Sequence, residues 1–258
     1  MTFTPETIAF LLGIAFLAGT IDAMAGGGGL LTIPALMSTG MPPVVALATN
    51  KLQSAIGTAS SFYTFWRGGH VEVKRFAWPV AGALLGSTAG ALAVQVIDSS
   101  FLAAIVPILL ILMALYFLLA PSMSEADRAA KLSTLPLTLL ISAIGFYDGF
   151  FGPGTGSFLT LALVALGGFG LVRAIAGTKL LNLTTNIAAL VMLALGGHML
   201  WALGFTMAAA NVVGAQIGTR LAIRYGGKGV RPLLVIMSLA LTAKLLSDPE
   251  NPLWTLLR

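Results

Sequence analysis

Apolar stretches at 6–24, 44–66, 76–97, 101–120, 133–149, 171–195, 199–219 and 232–247 alternate with short polar gaps along the chain. Each reaches or approaches the roughly 20 apolar residues that a helix needs to cross a bilayer. No charge interrupts 76–97, 99–124, 149–172 or 180–219. Two further segments are shorter, 28–40 (GGLLTIPALMSTG) and 154–169 (GTGSFLTLALVALGGF). At 1.5 Å per residue the first spans only about 20 Å, less than the roughly 30 Å of hydrocarbon. The pattern predicts an all-α polytopic membrane protein.

Shifted by 128, Ala46-Leu47-Ala48-Thr49-Asn50-Lys51-Leu52 falls on Ala174-Ile175-Ala176-Gly177-Thr178-Lys179-Leu180, and Gly68-Gly69-His70 falls on Gly196-Gly197-His198. Gly86 and Gly90 fall on Gly214 and Gly218. Upstream the offset becomes 126, where Asp22-x-x-x-Gly26 matches Asp148-x-x-x-Gly152, so the second copy carries a two-residue insertion. Several segments at one offset imply an internal duplication. The chain divides into a first transmembrane repeat (1–124), an inter-repeat loop (125–132) and a second repeat (133–258). Each repeat holds about four long helices and one short Gly-interrupted helix.

If the short segments re-enter, the protein has eight crossings and parallel halves. If they cross, it has ten and the halves are inverted. In the ten-crossing arrangement Arg67, Lys74, Arg75, Arg128, Lys131, Arg173, Arg220, Arg224, Lys228 and Arg231 share one side, leaving Lys244 and Arg258 opposite with Glu6, Asp98, Asp248 and Glu250. Eight crossings split the basic loops. The bias of Lys and Arg toward the cytoplasm favours inverted repeats in a cell inner membrane, with both termini outside.

Composition narrows the function classes. The residues are 57% hydrophobic and 9% charged, with a mean hydropathy of +0.96, too little polar character for a soluble domain of this size. The pI near 9.8 comes from scattered topology-setting charges rather than from a basic stripe for nucleic acid. With no Lys or Arg before Lys51, the first segment lacks the basic flank of a cleaved signal peptide and is expected to stay as a helix. There is no Cys, and the two His stand 128 residues apart beside Gly-Gly turns, so no metal site is expected and both read as interfacial residues. No cofactor is implied.

Candidate chemistry lies at the interruptions. Gly26-Gly27-Gly28-Gly29 and Gly152-Pro153-Gly154-Thr155-Gly156 are places where one helix stops and another begins. The first N–H groups of the new helices, near Leu30 and Ser157, are expected to lack intrahelical partners and to favour an anion. Gly-interrupted short segments at matching places in two halves point to a transporter's binding site. Lys51 shares a helix face with Ser54 and Thr58, and Lys179 shares one with Asn182 and Asn186. A Lys inside a span costs about 2.5–3.5 kcal/mol on insertion scales, so something compensates it. The candidate substrate residues are therefore Gly27, Gly28, Gly29, Lys51, Ser54, Gly154, Thr155, Gly156, Ser157, Lys179 and Asn182, around a small anion. The alternative pairs Asp22 with Lys51 and Asp148 with Lys179 as structural bridges, and a variant of it gives the two aspartates a coupling proton. Gly82-x-x-x-Gly86-x-x-x-Gly90 and Gly214-x-x-x-Gly218 fit close helix packing. A nucleotide-binding reading of the Gly-rich stretches fails for want of a βαβ unit.

The motifs GFYDGFFGPGTGSF (145–158), AGTKLLNLTTNIAAL (176–190), GTIDAMAGGGGLLTIPAL (19–36) and ATNKLQS (48–54) resemble those of the TauE/SafE sulfite exporter family, the toluene sulfonate uptake permeases, and in particular its YfcA-like bacterial members. The resemblance covers nearly the whole chain. It implies an inner-membrane secondary transporter of sulfite, sulfoacetate, sulfonates or similar anions. Pro34 follows the first break, whereas Ala162 stands at the matching place in the second copy.

Two other function classes stay open. One is an intramembrane aspartyl protease with Asp22 and Asp148 as its pair, since Tyr147-Asp148 and Pro34-Ala35-Leu36 resemble pieces of such enzymes, although their Gly-x-Gly-Asp element is absent. The other is a membrane assembly protein without transport, for which buried lysines are an odd expense. No ATP-binding or common hydrolase motif occurs, so a non-enzymatic role is expected. The expected partners are the small anion, the lipid bilayer and a coupling proton, with room for a homo-oligomer.

Overall fold

The computed structural model describes residues 3–119 and 126–225, together with 236, 239–244 and 246–247. The charges at Lys228, Arg231, Asp248, Glu250 and Arg258 lie outside the described residues, as does part of the expected segment 232–247. Within them the chain forms α1 (Pro5–Ala25), α2 (Gly29–Met37), α3 (Pro43–Arg67), a 3-10 turn (Val73–Phe76), α4 (Ala77–Gln95), α5 (Ser99–Leu119), α6 (Thr134–Phe150), α7 (Thr155–Ala165), α8 (Leu171–Leu195) and α9 (Trp201–Tyr225). No strand occurs among the described residues.

The ends follow the local sequence. Pro5 opens α1 behind Thr4, whose hydroxyl accepts from the Thr7 N–H at 3.3 Å. The Asp98 carboxylate accepts from the Ser100 and Phe101 amides at 2.8 and 3.3 Å, ahead of α5. The α1, α5 and α8 helices and the segment Val73–Gln95 are long and apolar enough to cross a membrane. The α3 and α9 helices match α8 in length. In α3, Thr49, Asn50, Lys51, Gln53, Thr58 and Ser61 form a buried polar face that lowers its hydropathy.

Small residues set the packing. A Cβ at Gly86 or Gly90 of α4 would stand 2.0 Å from the carbonyl oxygen of Ser142 or Phe146 on α6, so these backbones touch. The α1 and α9 helices meet in the same way, with Gly214 against Phe16 and Gly218 against Thr20. In both pairs the residue numbers rise together, so the partners run parallel. Gly204 lies against Leu52, and Gln216 Nε2 donates to the Ser60 carbonyl at 3.0 Å, which makes α3 parallel to α9. The Ser87 hydroxyl donates to the Thr185 carbonyl at 2.7 Å, and Gln95 reaches Gly196, so α4 is parallel to α8.

Helices α1, α3 and α9 therefore share one direction, and α4, α6 and α8 share another. The Arg173 guanidinium, at the start of α8, bonds Glu72 at 2.7 Å just beyond the end of α3, so the two sets are antiparallel. Repeat equivalents α1 and α6, like α3 and α8, thus run oppositely: the duplication is inverted. Residues 26–42 carry the chain back between the parallel helices α1 and α3. Eight crossings would put Glu72 and Arg173 on opposite sides, and the ion pair excludes that.

The outward faces are apolar, with Leu85, Val96, Leu135 and Leu195 all about 70–85% exposed. This is a helical membrane protein whose solvent on those faces is lipid.

Candidate substrate site between the repeats

Both lysines are the ninth residue of a 25-residue helix, Lys51 in α3 and Lys179 in α8. Since those helices are antiparallel, the lysines approach the interior from opposite sides. Each is almost fully buried and each is paired. Lys51 Nζ lies 2.9 Å from Asp148 Oδ1 of α6, and Lys179 Nζ lies 3.0 Å from Asp22 Oδ2 of α1 and also donates to the Asp22 carbonyl. Each pair joins one repeat to the other, which corrects the expectation that Asp22 would pair with Lys51 and Asp148 with Lys179. The reason lies in the packing: α1 lies along α9 of the second repeat and α6 lies along α4 of the first, so each carboxylate is carried into the other repeat and meets its ammonium.

The two carboxylates differ. Asp22 Oδ1 accepts from the amides of Gly27 and Gly28 at 3.1 and 3.4 Å, so both of its oxygens are engaged. Five residues beyond Asp148, where Gly27 stands relative to Asp22, the chain has Pro153, which has no N–H to give. Asp148 Oδ2 is buried without a protein partner. Gly152, at φ +99°, lies so close that a Cβ there would meet Lys51 Nζ at 3.0 Å and Asp148 Oδ1 at 3.1 Å.

The breaks press on each other. Gly26 has φ +68°, and a Cβ there would stand 2.5 Å from the Cα of Gly156. The Ser157 hydroxyl donates to the carbonyls of Ala25 and Gly26, the latter at 3.0 Å, tying α7 to the end of α1. Thr32 and Thr160, equivalent at the 128 offset, each bond the carbonyl four residues earlier, at 3.0 and 2.7 Å. The expected free amides at Leu30 and Ser157 are instead used locally, donating to the carbonyls of Gly27 and Gly154 at 2.9 Å in 3-10 turns.

Around these breaks is a polar cavity with about 300 Å³ of empty space, its open mouth included. Of the residues singled out from the sequence, it is lined by Asp22, Gly27, Gly29, Lys51, Ser54, Asp148, Gly154, Thr155, Gly156 and Asn182. Gly28, Ser157 and Lys179 stand behind it: Gly28 caps Asp22, Ser157 locks the breaks together, and Lys179 holds Asp22. Asn50, Gly152 and Asn186 complete the lining. Asn186 was legible from its place on the Lys179 face, whereas Asn50 has Thr178 as its repeat equivalent and the duplication gave no signal for it. Among the described residues no group of His, Cys, Asp and Glu forms a metal cluster.

The sulfite exporter TauE/SafE family description matches residues 11–245. The chain belongs to the TauE/SafE family. Over 249 residues this TauE/SafE protein is 48% identical to the probable membrane transporter protein YfcA of Escherichia coli K12, covering 96% of this chain and 93% of that one. It is 45% identical over 247 residues to the probable membrane transporter protein ORF9 of a Sinorhizobium species, at 95% of both chains. A more distant relative, the probable membrane transporter protein YunE of Bacillus subtilis, is 25% identical over 262 residues, at 91% and 94%. No solved structure matches the chain. Family and relatives agree on a TauE/SafE membrane transporter, which fits a polar cavity at a double helix break inside an inverted repeat.

Proposed function

We propose that this chain is a secondary transporter of small anions, sulfur-containing or organic, such as sulfite, sulfoacetate or a sulfonate. It works by alternating access around the cavity between the repeats. It sits in the inner membrane with its basic loops in the cytoplasm and both termini outside. The observation that carries the reading is the polar cavity wall, where the Lys51 ammonium and the carboxamides of Asn50, Asn182 and Asn186 stand beside Ser54 and the start of α7. Such donors suit the oxygens of a sulfonate, sulfite or carboxylate.

An aspartyl protease needs two carboxylates that share a proton. Each carboxylate here faces an ammonium from the opposite repeat instead, which counts against that reading and for a non-enzymatic role. A passive assembly role leaves two buried ion pairs and a polar cavity without a use.

The test is uptake and efflux in proteoliposomes, screening sulfite, sulfoacetate, thiosulfate and small carboxylates. Wild-type protein should move at least one of them. Asn182→Leu, which removes a donor from the cavity wall, should slow that flux about tenfold or more, as expected for losing a hydrogen bond to a charged ligand. No flux of any of these anions through folded wild-type protein would overturn the proposal.

A further inference from the structure

Building on the anion-transport reading, we infer that Asp148 alone carries a coupling proton, and that its protonation frees Lys51 for the anion. Proton and anion are then loaded together, and a monoanion moves without net charge.

The argument starts from charge. In the structure the cavity is neutral, with Lys51 matched by Asp148 and Lys179 by Asp22. An anion entering it would add an uncompensated buried charge, which is costly in a water-poor interior. One charge must be cancelled first, and the two carboxylates are not equivalent candidates. Protonating either would disturb an ammonium contact, at 3.0 Å for Asp22 and 2.9 Å for Asp148, but only Asp22 also accepts amide bonds, at 3.1 and 3.4 Å. Asp148 is 2% exposed and lines the cavity, and its Oδ2 has no protein partner. A proton can bind there without displacing any protein donor.

The surroundings name no competitor. From α3, Lys51 faces Asp148 at 2.9 Å. The α4 and α7 helices have no charged or titratable residue along their length. From α8 comes Lys179, engaged with Asp22, and from α1 comes Asp22 at the cavity wall. On α6 itself Tyr147 donates its hydroxyl to the Pro153 carbonyl at 2.6 Å. The origin of the asymmetry is Pro153 in the place of Gly27, which leaves Asp148 without the amide cap that Asp22 has.

The step is a proton transfer only. A proton from water on one side bonds to Oδ2, the Lys51 ammonium loses its counter-charge, and the anion takes the place of that charge. On the other side the anion leaves, the proton returns to water and the Lys51–Asp148 pair re-forms. By linkage the proton raises anion affinity, and the anion raises proton affinity by the same factor.

The test uses methanesulfonate and isethionate, whose charge is fixed between about pH 5 and pH 8, in proteoliposomes containing a trapped pH indicator. Wild-type flux should carry one proton per anion, should not respond to an imposed membrane potential, and should show an apparent anion affinity that rises by up to about tenfold per unit fall in pH. Asp148→Asn, fixed in the neutral form, should flatten the pH dependence and abolish proton movement, whereas Asp22→Asn should keep the slope. If Asp148→Asn does not fold, the wild-type proton count and potential dependence decide together with Asp22→Asn, whose loss of the slope would overturn the inference. Anion flux without protons, flux driven by potential, dependence on sodium, or a wild-type slope in folded Asp148→Asn would each overturn the inference while leaving anion transport standing. No flux of any anion in wild type would instead remove the reading it rests on.

Discussion

A buried ion pair makes its partners depend on each other unequally when one has further support. Removing one member of a buried pair costs about 3–5 kcal/mol, because the other charge is left uncompensated. Lys51→Met leaves Asp148 with no donor, so it should lower the melting temperature in detergent most. Lys179→Met should cost less, because Asp22 keeps the Gly27 and Gly28 amides and is 24% exposed. The double variant Lys51→Met/Asp148→Leu should recover much of the loss. Equal effects of the two single variants, or no recovery, would contradict the asymmetry. The four charged residues were legible in the sequence because charges are rare inside spans and the duplication repeats them. Their pairing was not, because residues in the same repeat are the natural partners until the packing of α1 and α6 is known. Asp148's free oxygen was also written in the chain, as Pro153 in place of an amide donor, but it has meaning only once Asp22 is seen to use Gly27.

At the scale of elements, the glycine stripes were readable as packing surfaces, whereas their partners were not. The α4 helix seals against α6 and α9 against α1, so these close backbone contacts join helices of different repeats. Repeat spacing shows which faces are small but not which two faces meet. The consequence is a contrast among single methyl groups. In Gly86→Ala and Gly149→Ala the new Cβ would lie 2.0 Å from a carbonyl oxygen of the facing helix, so the helices must part. A methyl group added at Gly13 of α1 would have nothing within 4 Å, and Gly13→Ala gains the better helix propensity, about 1 kcal/mol. Thermal unfolding should rank Gly13→Ala at or above wild type and both tight positions well below it, by the roughly 1–3 kcal/mol or more typical of overpacking. If all three behave alike, close backbone contact is not what holds these helices.

For the whole molecule, one cluster fastens the basic face. Arg173 bonds Glu72 and Asp127, both at 2.7 Å, and so ties the start of α8 to the α3–α4 turn and the inter-repeat loop. The Gly170 amide and then the Arg173 guanidinium hold the Asp127 carboxyl below its usual value. A depressed carboxylate stabilises the fold above its ordinary value near 4 and loses that contribution as pH falls through the lower folded one. The clamp should therefore stay closed at neutral and mildly acid pH and release only below about pH 4, so transport changes between about pH 5 and pH 8 would not come from it. Proteolysis of the loop after acid exposure should show this onset, and Asp127→Asn should remove it.

The same face gives a decisive test of the topology, because the chain has no cysteine to confuse thiol labelling. Parallel α1, α3 and α9 against antiparallel α4, α6 and α8 put Glu72, Arg128 and Arg173 together, with Asp98 and His198 at the other end. The net excess of Lys and Arg at the first end is the ground for proposing that it faces the cytoplasm. In intact cells, an impermeant maleimide should react with Asp98→Cys and His198→Cys, and should reach Arg128→Cys only after the membrane is opened. The reverse pattern would leave the inverted repeat intact and turn the molecule over. Asp98 and His198 on different sides would break the inversion itself, and with it the reason that two helix breaks from opposite directions meet around one cavity.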